Sequence, residues 1–220
     1  MEVLDIDGLD YDDMLQQLSC LEPGHSIELV GTRAIVGLLK RLLQDQPLRY
    51  ELSTIRRRPD EWRVKVIVFG EEEPRSVTSY LGRDHDRLDD LLQQAVKLAA
   101  HGEWAETQSL IADFRDGLFW HIEIEERLLF PEFELLSGSS AGGPTEAMRS
   151  EHDTIKECVN GLVEAAGAED HDELARHHAD LLGVLVEHNM KEESILYPET
   201  DRALNGSARN LLVERMMLGV

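Results

Sequence analysis

Residues 1–70 alternate between strand and helix patterns. The segments SIELV, LRYELSTI and WRVKVIVF have the short apolar run or the period-two alternation of strands, and the last two flank an RRRPDE turn, which predicts a hairpin. VLDI adds a short apolar stretch before them. The segments YDDMLQQLSCL and RAIVGLLKRLLQ have helical spacing. Residues 1–70 are therefore predicted to form a small two-layer α/β domain in the order β-α-β-α-β-β.

Beyond a polar segment at residues 71–78, the pattern becomes almost wholly helical. The helical pattern is broken at three places, His101-Gly102, the SGSSAGGP loop at 137–144, and residues 167–170. The breaks separate four predicted helices, near residues 80–100, 103–131, 145–166 and 171–198. Long helices joined by short loops favour an antiparallel, up-and-down four-helix bundle. We expect this all-α bundle at residues 79–203, after a linker at 71–78 and before a C-terminal tail at 204–220 with one more short helix.

One motif of the predicted bundle occurs twice. HIEIEERLLFPEFE begins at His121 and HNMKEESILYPETD begins at His188, and both place a Glu four residues after the His. A second pair lies upstream, DHDRL around His85 and EHDTI around His152. Each upstream His precedes its downstream partner by 36 residues, so the second set repeats the spacing of the first. The bundle is thus predicted to consist of one helical hairpin used twice.

Antiparallel geometry brings the repeated residues to one level of the bundle. In the first hairpin His85 lies near the start of one helix and His121 near the end of the next, with the turn about midway between them. The two legs are each roughly 25 Å long, so the chain returns to its starting level. A His and a Glu four residues apart share a helix face. Six side chains are predicted to converge: His85, His121, Glu125, His152, His188 and Glu192.

Four imidazoles and two carboxylates restrict the chemistry of such a cluster. Without a thiolate, the set suits iron, manganese or zinc better than copper(I). It contains too many ligands for a single tetrahedral zinc ion. It does suit two metal ions, about 3.5–4 Å apart, that share the carboxylates. Six side chains leave coordination positions open on two such ions, which points to small-molecule chemistry rather than to a purely structural metal.

Other polar residues near the motifs have simpler interpretations. A lone H-x-x-x-E on a helix is usually a surface pair, and only the matched repeat favours a metal site. Asp84 and Glu151, each directly before a His, are candidates to orient ligands, although acidic residues are also common at helix N-termini. Asp89 is interpreted as a solvated residue, since Lys156 takes its place in the repeat. His177 lies about 16 Å along the helix axis from the second motif, too far to share its metals.

The net charge argues against two classes of partner. The chain carries a formal net charge of −22, and residues 76–220 hold 12 basic and 29 acidic side chains. Such a field repels nucleic acid and anionic membranes. No apolar run approaches the roughly 20 residues of a membrane span, and the acidic N-terminus lacks a signal-peptide pattern. With Cys20 and Cys158 not in C-x-x-C spacing, these features predict a cytoplasmic protein without a disulfide framework.

Residues 80–200 resemble the hemerythrin-like, HHE cation-binding family through the pattern H…H-x-x-x-E…H…H-x-x-x-E and the Phe/Tyr-Pro-Glu endings. The resemblance implies two non-haem irons with an oxo or hydroxo bridge, rather than manganese or zinc, and a small ligand such as O2, H2O2 or NO. Oxygen-carrying members have a fifth His where this chain has Lys156, and their last carboxylate is an Asp in H-x-x-x-x-D spacing, whereas this chain has Glu192 in H-x-x-x-E spacing. The pattern is closer to the bacterial di-iron proteins of iron–sulfur cluster repair, which implies a stress response.

The N-terminal region, residues 1–70, resembles a small domain of unknown function related to the TusA sulfur-transfer fold. The shared features are the LDIDGL start, the Pro23-Gly24 turn before an apolar strand, and the EWRV strand. Sulfur carriers have Cys-Pro soon after the Gly-Leu, whereas this chain has Asp10-Tyr11-Asp12 there. This departure argues against persulfide transfer and leaves the domain as a candidate surface for a protein partner.

Two functions stay open on these residues. The first is a di-iron protein that binds or reacts with a small ligand, which predicts that its centre responds to O2, peroxide or NO. The second is a non-catalytic iron-sensing or interaction module that signals through the N-terminal domain. The second predicts a large loss of folding on chelation, without turnover of any oxidant. Whether the protein is an enzyme is left open between them.

Overall fold

The chain folds into two compact units. The computed structural model describes residues 2–32, 35–46, 48–58, 60–69, 75–138 and 143–220. The first unit consists of Met1–Ser76 together with Gly206–Val220, and the second of Val77–Asn205. A C-terminal segment thus belongs to the unit that the N-terminus builds.

A four-stranded mixed sheet forms the centre of the first unit, and its strands lie in the order β1-β2-β4-β3. Strands β1 and β2 are parallel, whereas β2 and β3 both pair with β4 in antiparallel fashion. The elements in chain order are β1 (Glu2–Asp5), α1 (Tyr11–Ser19), β2 (Ser26–Gly31), α2 (Ile35–Asp45), β3 (Tyr50–Arg57) and β4 (Trp62–Val68). The predicted β-α-β-α-β-β order and the α/β class of this unit are confirmed.

Local sequence explains these elements. Asp10 caps α1, where its side chain accepts a hydrogen bond of 2.9 Å from the backbone N–H of Asp13. Met14 and Leu18, one helical turn apart, are fully buried on the inner face of α1. In β4 buried and half-buried residues alternate from Trp62 to Val68, as expected for a strand with one face on a core.

A last helix, α9 (Gly206–Leu218), completes the first unit. Its residues Val213 and Met216 are fully buried. The thioether of Met217 lies 3.3 Å from the backbone nitrogen of Leu52 on β3. The sequence predicted a short helix in this tail but did not indicate which unit it would join.

The second unit is a bundle of antiparallel helices. Its long helices are α3 (Val77–Ala99), α4 (Trp104–Ile124), α6 (Pro144–Gly167) and α7 (His171–Lys191), and two short ones, α5 (Phe130–Ser137) and α8 (Tyr197–Ala203), extend α4 and α7. The predicted breaks near residues 101 and 168 are present. Residues 71–74 of the predicted linker and 139–142 of the predicted loop lie outside the described residues. The all-α class of this region is confirmed.

Two π-helical turns interrupt the bundle at matching places. Glu125–Leu129 joins α4 to α5, and Glu192–Leu196 joins α7 to α8. The predicted second and fourth helices end at residues 131 and 198, whereas in the structure the chain stays helical beyond Pro131 and Pro198. Each proline falls in the first turn after the π turn, where its missing N–H is tolerated. Neither turn is visible in the apolar spacing.

Apolar packing and one cap hold the bundle together. The core contains Leu92, Phe114, Val159 and Leu162, all almost fully buried. Asp201 on α8 accepts hydrogen bonds from the backbone nitrogens of Val77 and Thr78 at 2.8 and 3.1 Å, and so caps the start of α3. None of the described helices is both long enough and apolar enough to cross a bilayer.

We predict that Met216→Ala destabilises the first unit by about 2–5 kcal/mol, because it leaves a cavity in place of a fully buried side chain. Leu211→Ala, on the exposed side of the same helix, is the control and should change stability by less than about 0.5 kcal/mol. Amide hydrogen exchange, resolved by peptide, should show faster exchange in β3 and β4 of Met216→Ala. Equal exchange in the two variants would contradict the assignment of α9 to the sheet core.

Candidate metal centre

The six residues predicted from the repeat meet inside the bundle. Each of the four long helices contributes one imidazole, and the two π turns each begin with one of the glutamates. All six side chains are buried: His85, His121, Glu125, His152, His188 and Glu192. The potential ligand atoms form two groups, one in each half of the cluster, and Glu192 belongs to both. Within each group the atoms all lie within 4.8 Å of one another. The predicted convergence is thus present in the structure.

In each imidazole, Nδ1 lies within hydrogen-bond distance of a carboxylate outside the centre. Within the hairpins, Nδ1 of His121 lies 3.0 Å from Asp84 and Nδ1 of His188 lies 2.9 Å from Glu151. The other two contacts cross between the hairpins. They join Nδ1 of His85 to Glu193 at 2.7 Å and Nδ1 of His152 to Glu126 at 2.8 Å. The two halves therefore repeat the same arrangement and brace each other.

These contacts fix the state of the opposite ring nitrogen. A neutral imidazole that donates from Nδ1 carries a bare lone pair on Nε2. The Nε2 atoms of His85 and His121 face each other at 3.1 Å, and so do those of His152 and His188. Two bare lone pairs at this distance repel each other, so each pair needs a cation beside it, either a proton or a metal ion.

Two carboxylate oxygens complete the donor set. Glu125 Oε2 and Glu192 Oε1 are buried without a hydrogen-bond partner among the described residues. Glu125 Oε2 lies 3.5 Å from Nε2 of His121 and 3.4 Å from Nε2 of His152, and Glu192 Oε1 lies 3.0 Å from Nε2 of His188. A buried carboxylate oxygen without a donor costs free energy. Inward imidazole nitrogens and unpaired carboxylate oxygens fit a metal ion in each half.

The two π turns begin at the glutamates and position the rings that follow them. In both chain segments the His lies on the regular helix one turn before the Glu, and the Glu is the first residue of the π turn. The two side chains share a face because they are four residues apart. The extra residue of the π turn then shifts the following helix, so that Phe130 and Tyr197 are buried beside the imidazoles of His152 and His85.

The comparison with known families agrees with this geometry. Residues 76–200, more than half of the chain, match the family described as the hemerythrin HHE cation binding domain. The chain belongs to this family. Membership of the hemerythrin family and the buried His/Glu cluster together support a metal-binding site, and the suspected resemblance is confirmed for this region. The resemblance of residues 1–70 to the TusA fold stays a prediction.

Two of the relatives named below are similar to this hemerythrin-family chain over about three quarters of its length, and the third over a shorter stretch. The chain is 28% identical to the iron-sulfur cluster repair protein YtfE of Enterobacter sp. (strain 638) over 181 residues, which cover 76% of this chain and 81% of that protein. It is 26% identical to YtfE of Citrobacter koseri over 180 residues, with 76% and 80% covered. It is 34% identical to the iron-sulfur cluster repair protein DnrN of Neisseria gonorrhoeae over 82 residues, with 37% and 52% covered. No solved structure gives a significant match.

The structure shows where several other polar residues of the hemerythrin domain lie relative to the centre. Asp84 and Glu151 contact imidazoles of the centre, which agrees with their interpretation as residues that orient ligands. Glu126 and Glu193 also contact ligand imidazoles, and no role was predicted for them from the sequence. Their equivalent positions in the two motifs are the signal that could have identified them. His177 lies away from the centre, against α6, where a Cβ atom on Gly161 would come within 2.2 Å of its ring.

Without a metal ion, the neighbouring carboxylates raise the pKa of His85, His121 and His188 and so favour the protonated forms of these imidazoles. Burial by itself lowers the pKa of His121, but the charge of Glu125 and hydrogen bonds to carboxylates outweigh it and raise this pKa well above its usual value. The pKa values of His85 and His188 are also raised against burial, chiefly through Glu192. Burial raises the pKa of Glu125, whereas the nearby His121 charge lowers it, and the net pKa lies well below its usual range.

We predict opposite pH dependences for the metal-free and metal-loaded protein. A raised histidine pKa contributes stability that is complete below about pH 6.5 and is lost as pH rises through the folded-state pKa. Metal ions need neutral imidazoles, so the metal-loaded form should instead gain stability over the same rise in pH. Urea unfolding of both forms at about pH 6 and about pH 9, followed by helical circular dichroism, measures the two slopes. Slopes of the same sign would contradict this account of the centre.

We predict that Asp84→Asn weakens metal binding roughly 10- to 100-fold, because it removes the negative charge behind Nδ1 of His121. Asp86→Asn, two residues away on the exposed side of α3, removes the same charge without touching a ligand and serves as the control. Competition with a chelator of known affinity measures both variants. Equal metal affinities would show that the outer carboxylates do not support the ligands.

Proposed function

We propose that this chain is a non-haem di-iron protein whose centre binds or reacts with a small ligand such as O2, H2O2 or NO. The observation that carries the proposal is the pair of facing imidazole couples, each with Nε2 atoms 3.1 Å apart and with a carboxylate oxygen beside it. Two such couples, one in each half of the bundle, suit two metal ions better than one. Bound irons would supply redox change and open coordination positions.

Iron is the metal that the donor set and the relatives favour together. Imidazole and carboxylate donors without a thiolate suit iron. Two named relatives, YtfE and DnrN, are iron-sulfur cluster repair proteins. We extend this role to the present chain as part of the proposal, so that the di-iron centre acts in iron–sulfur cluster repair during nitrosative or oxidative stress.

The residues around the proposed metal ions orient the ligands and exclude water. The outer carboxylates Asp84, Glu126, Glu151 and Glu193 hold the imidazoles in the orientation that ligation requires. The apolar rings around the centre keep bulk water away from it, since Phe130 lies parallel to the ring of His152 at 5.5 Å. Six protein ligands leave positions free for a small ligand on two octahedral ions. This combination favours gas or peroxide chemistry over a purely structural metal.

We predict that anaerobically purified protein holds about two irons per chain and that its absorption spectrum changes on addition of NO, O2 or peroxide. His121→Ala should lose most of the iron, because it removes a buried ligand. His101→Ala is the matched control, since His101 is exposed at the turn between α3 and α4. Elemental analysis and optical titration give the two readings. One zinc per chain would overturn the proposal.

The same titration separates the alternative function. A centre that loads two irons but responds to none of the three small ligands would favour a non-catalytic iron-sensing or interaction module. In that case chelation should unfold the bundle, while peroxide should not be consumed. A partner of the first unit would then be the next protein to seek.

A further inference from the structure

The two halves of the centre differ at one repeated position. Phe130 and Tyr197 are equivalent residues of the two motifs, and both are fully buried at the first position after a π turn. Phe130 lies parallel to the ring of His152. Tyr197 lies beside His85, with ring centroids 5.9 Å apart. The repeat thus puts a hydroxyl group into one half and none at the equivalent place in the other.

This hydroxyl group lies among the ligand atoms. The Tyr197 oxygen is 2.6 Å from Glu125 Oε1, 3.0 Å from Glu192 Oε2 and 3.4 Å from Nε2 of His85. A phenol has one proton to donate, and the shortest contact assigns it to Glu125. One oxygen of Glu125 is therefore engaged by Tyr197 rather than by the imidazoles.

The two halves also differ in how many potential ligand atoms lie close together. Around His152 and His188, both glutamates supply a ligand atom, which gives four donors within 4.8 Å of one another. Around His85 and His121, Glu192 is the one glutamate in the group, which gives three donors. A symmetric repeat would give equal sets. The half with the hydroxyl has the smaller set.

The outer carboxylates of the two halves also differ in exposure and in their partners. Glu126, behind His152, is 30% exposed and pairs with Lys156 at 3.3 Å. Glu193, behind His85, is 47% exposed, and no lysine or arginine among the described residues pairs with it. The second pair of outer carboxylates differs in the opposite direction, since Asp84 behind His121 is 11% exposed and Glu151 behind His188 is 26% exposed.

We propose that Tyr197 is a positioning residue that makes the two metal positions unequal and offers its hydroxyl group to a small ligand bound in the half of the centre that contains His85 and His121. The hydroxyl rotates about its C–O bond, so its proton can turn from Glu125 to a ligand in the adjacent open position. Phe130 gives the other half no such donor. This inference rests on the proposed di-iron function and names the half of the centre that serves it.

The test uses the full-length iron-loaded protein and the Tyr197→Phe variant, with azide as the probe ligand. Without the hydroxyl, azide affinity should fall roughly ten-fold, the effect of one hydrogen bond to a charged group. Resonance Raman spectra should lose the shift of the azide stretch between H2O and D2O, which a purely structural role would not affect. Tyr80→Phe removes a buried hydroxyl from α3 outside the centre and should leave both readings at their wild-type values.

Mössbauer spectroscopy of protein loaded with 57Fe provides a reading that does not depend on azide. The wild-type protein should give two distinct quadrupole doublets, and Tyr197→Phe should bring them together. Should that variant load less iron, Phe130→Tyr decides the question, because it adds the matching hydroxyl group to the half with His152 and should also bring the doublets together.

The possible failures are distinguishable. Unchanged azide affinity and unchanged doublets in Tyr197→Phe overturn the role of Tyr197 and leave the proposed function standing. If Tyr197→Phe loads less iron, unchanged doublets in Phe130→Tyr likewise overturn the role of Tyr197 and leave the proposed function standing. A wild-type protein that binds two irons but neither azide nor NO overturns the proposed function together with this inference.

Discussion

The centre depends on four contacts between imidazole Nδ1 atoms and outer carboxylates. They turn every Nε2 lone pair inward and bring two pairs of nitrogens to 3.1 Å. Such an arrangement is unfavourable unless a cation lies at each pair, because bare lone pairs and buried carboxylates repel one another. Two of the contacts, from His85 to Glu193 and from His152 to Glu126, also tie the hairpins together. Metal binding and the packing of the bundle are therefore parts of one interaction.

The repeat explains both the symmetry of the centre and its limit. Duplicate hairpins supply duplicate ligands, since one geometry is used twice. Identical halves would, however, give two metal ions the same surroundings. Tyr197 and Phe130 occupy equivalent positions of the repeat and differ by one hydroxyl group. Asp89 and Lys156 are also equivalent positions, and they differ in charge. One hydroxyl group is enough to distinguish the halves because both positions are fully buried.

Much of the fold and the ligand set could be predicted from one chain. The period-two and helical patterns separated a small α/β unit from a helical one, since strand and helix bury different residue spacings. The equal separations from His85 to His121 and from His152 to His188 required the four imidazoles to meet in an antiparallel bundle. The π turns could not be predicted, because an inserted residue leaves no mark in a sequence whose apolar spacing already tolerates small shifts.

The sequence by itself determined which residues form the centre, because their spacing on helices of fixed rise leaves one way for them to converge. Only the tertiary structure decided how they are held. Glu193 supports an imidazole 108 positions away, and such a pairing depends on which helices become neighbours. The same holds for α9, whose buried Met216 joins the sheet of the first unit. Apolar spacing shows that a helix face will be buried, but the covering surface is chosen when the chain folds.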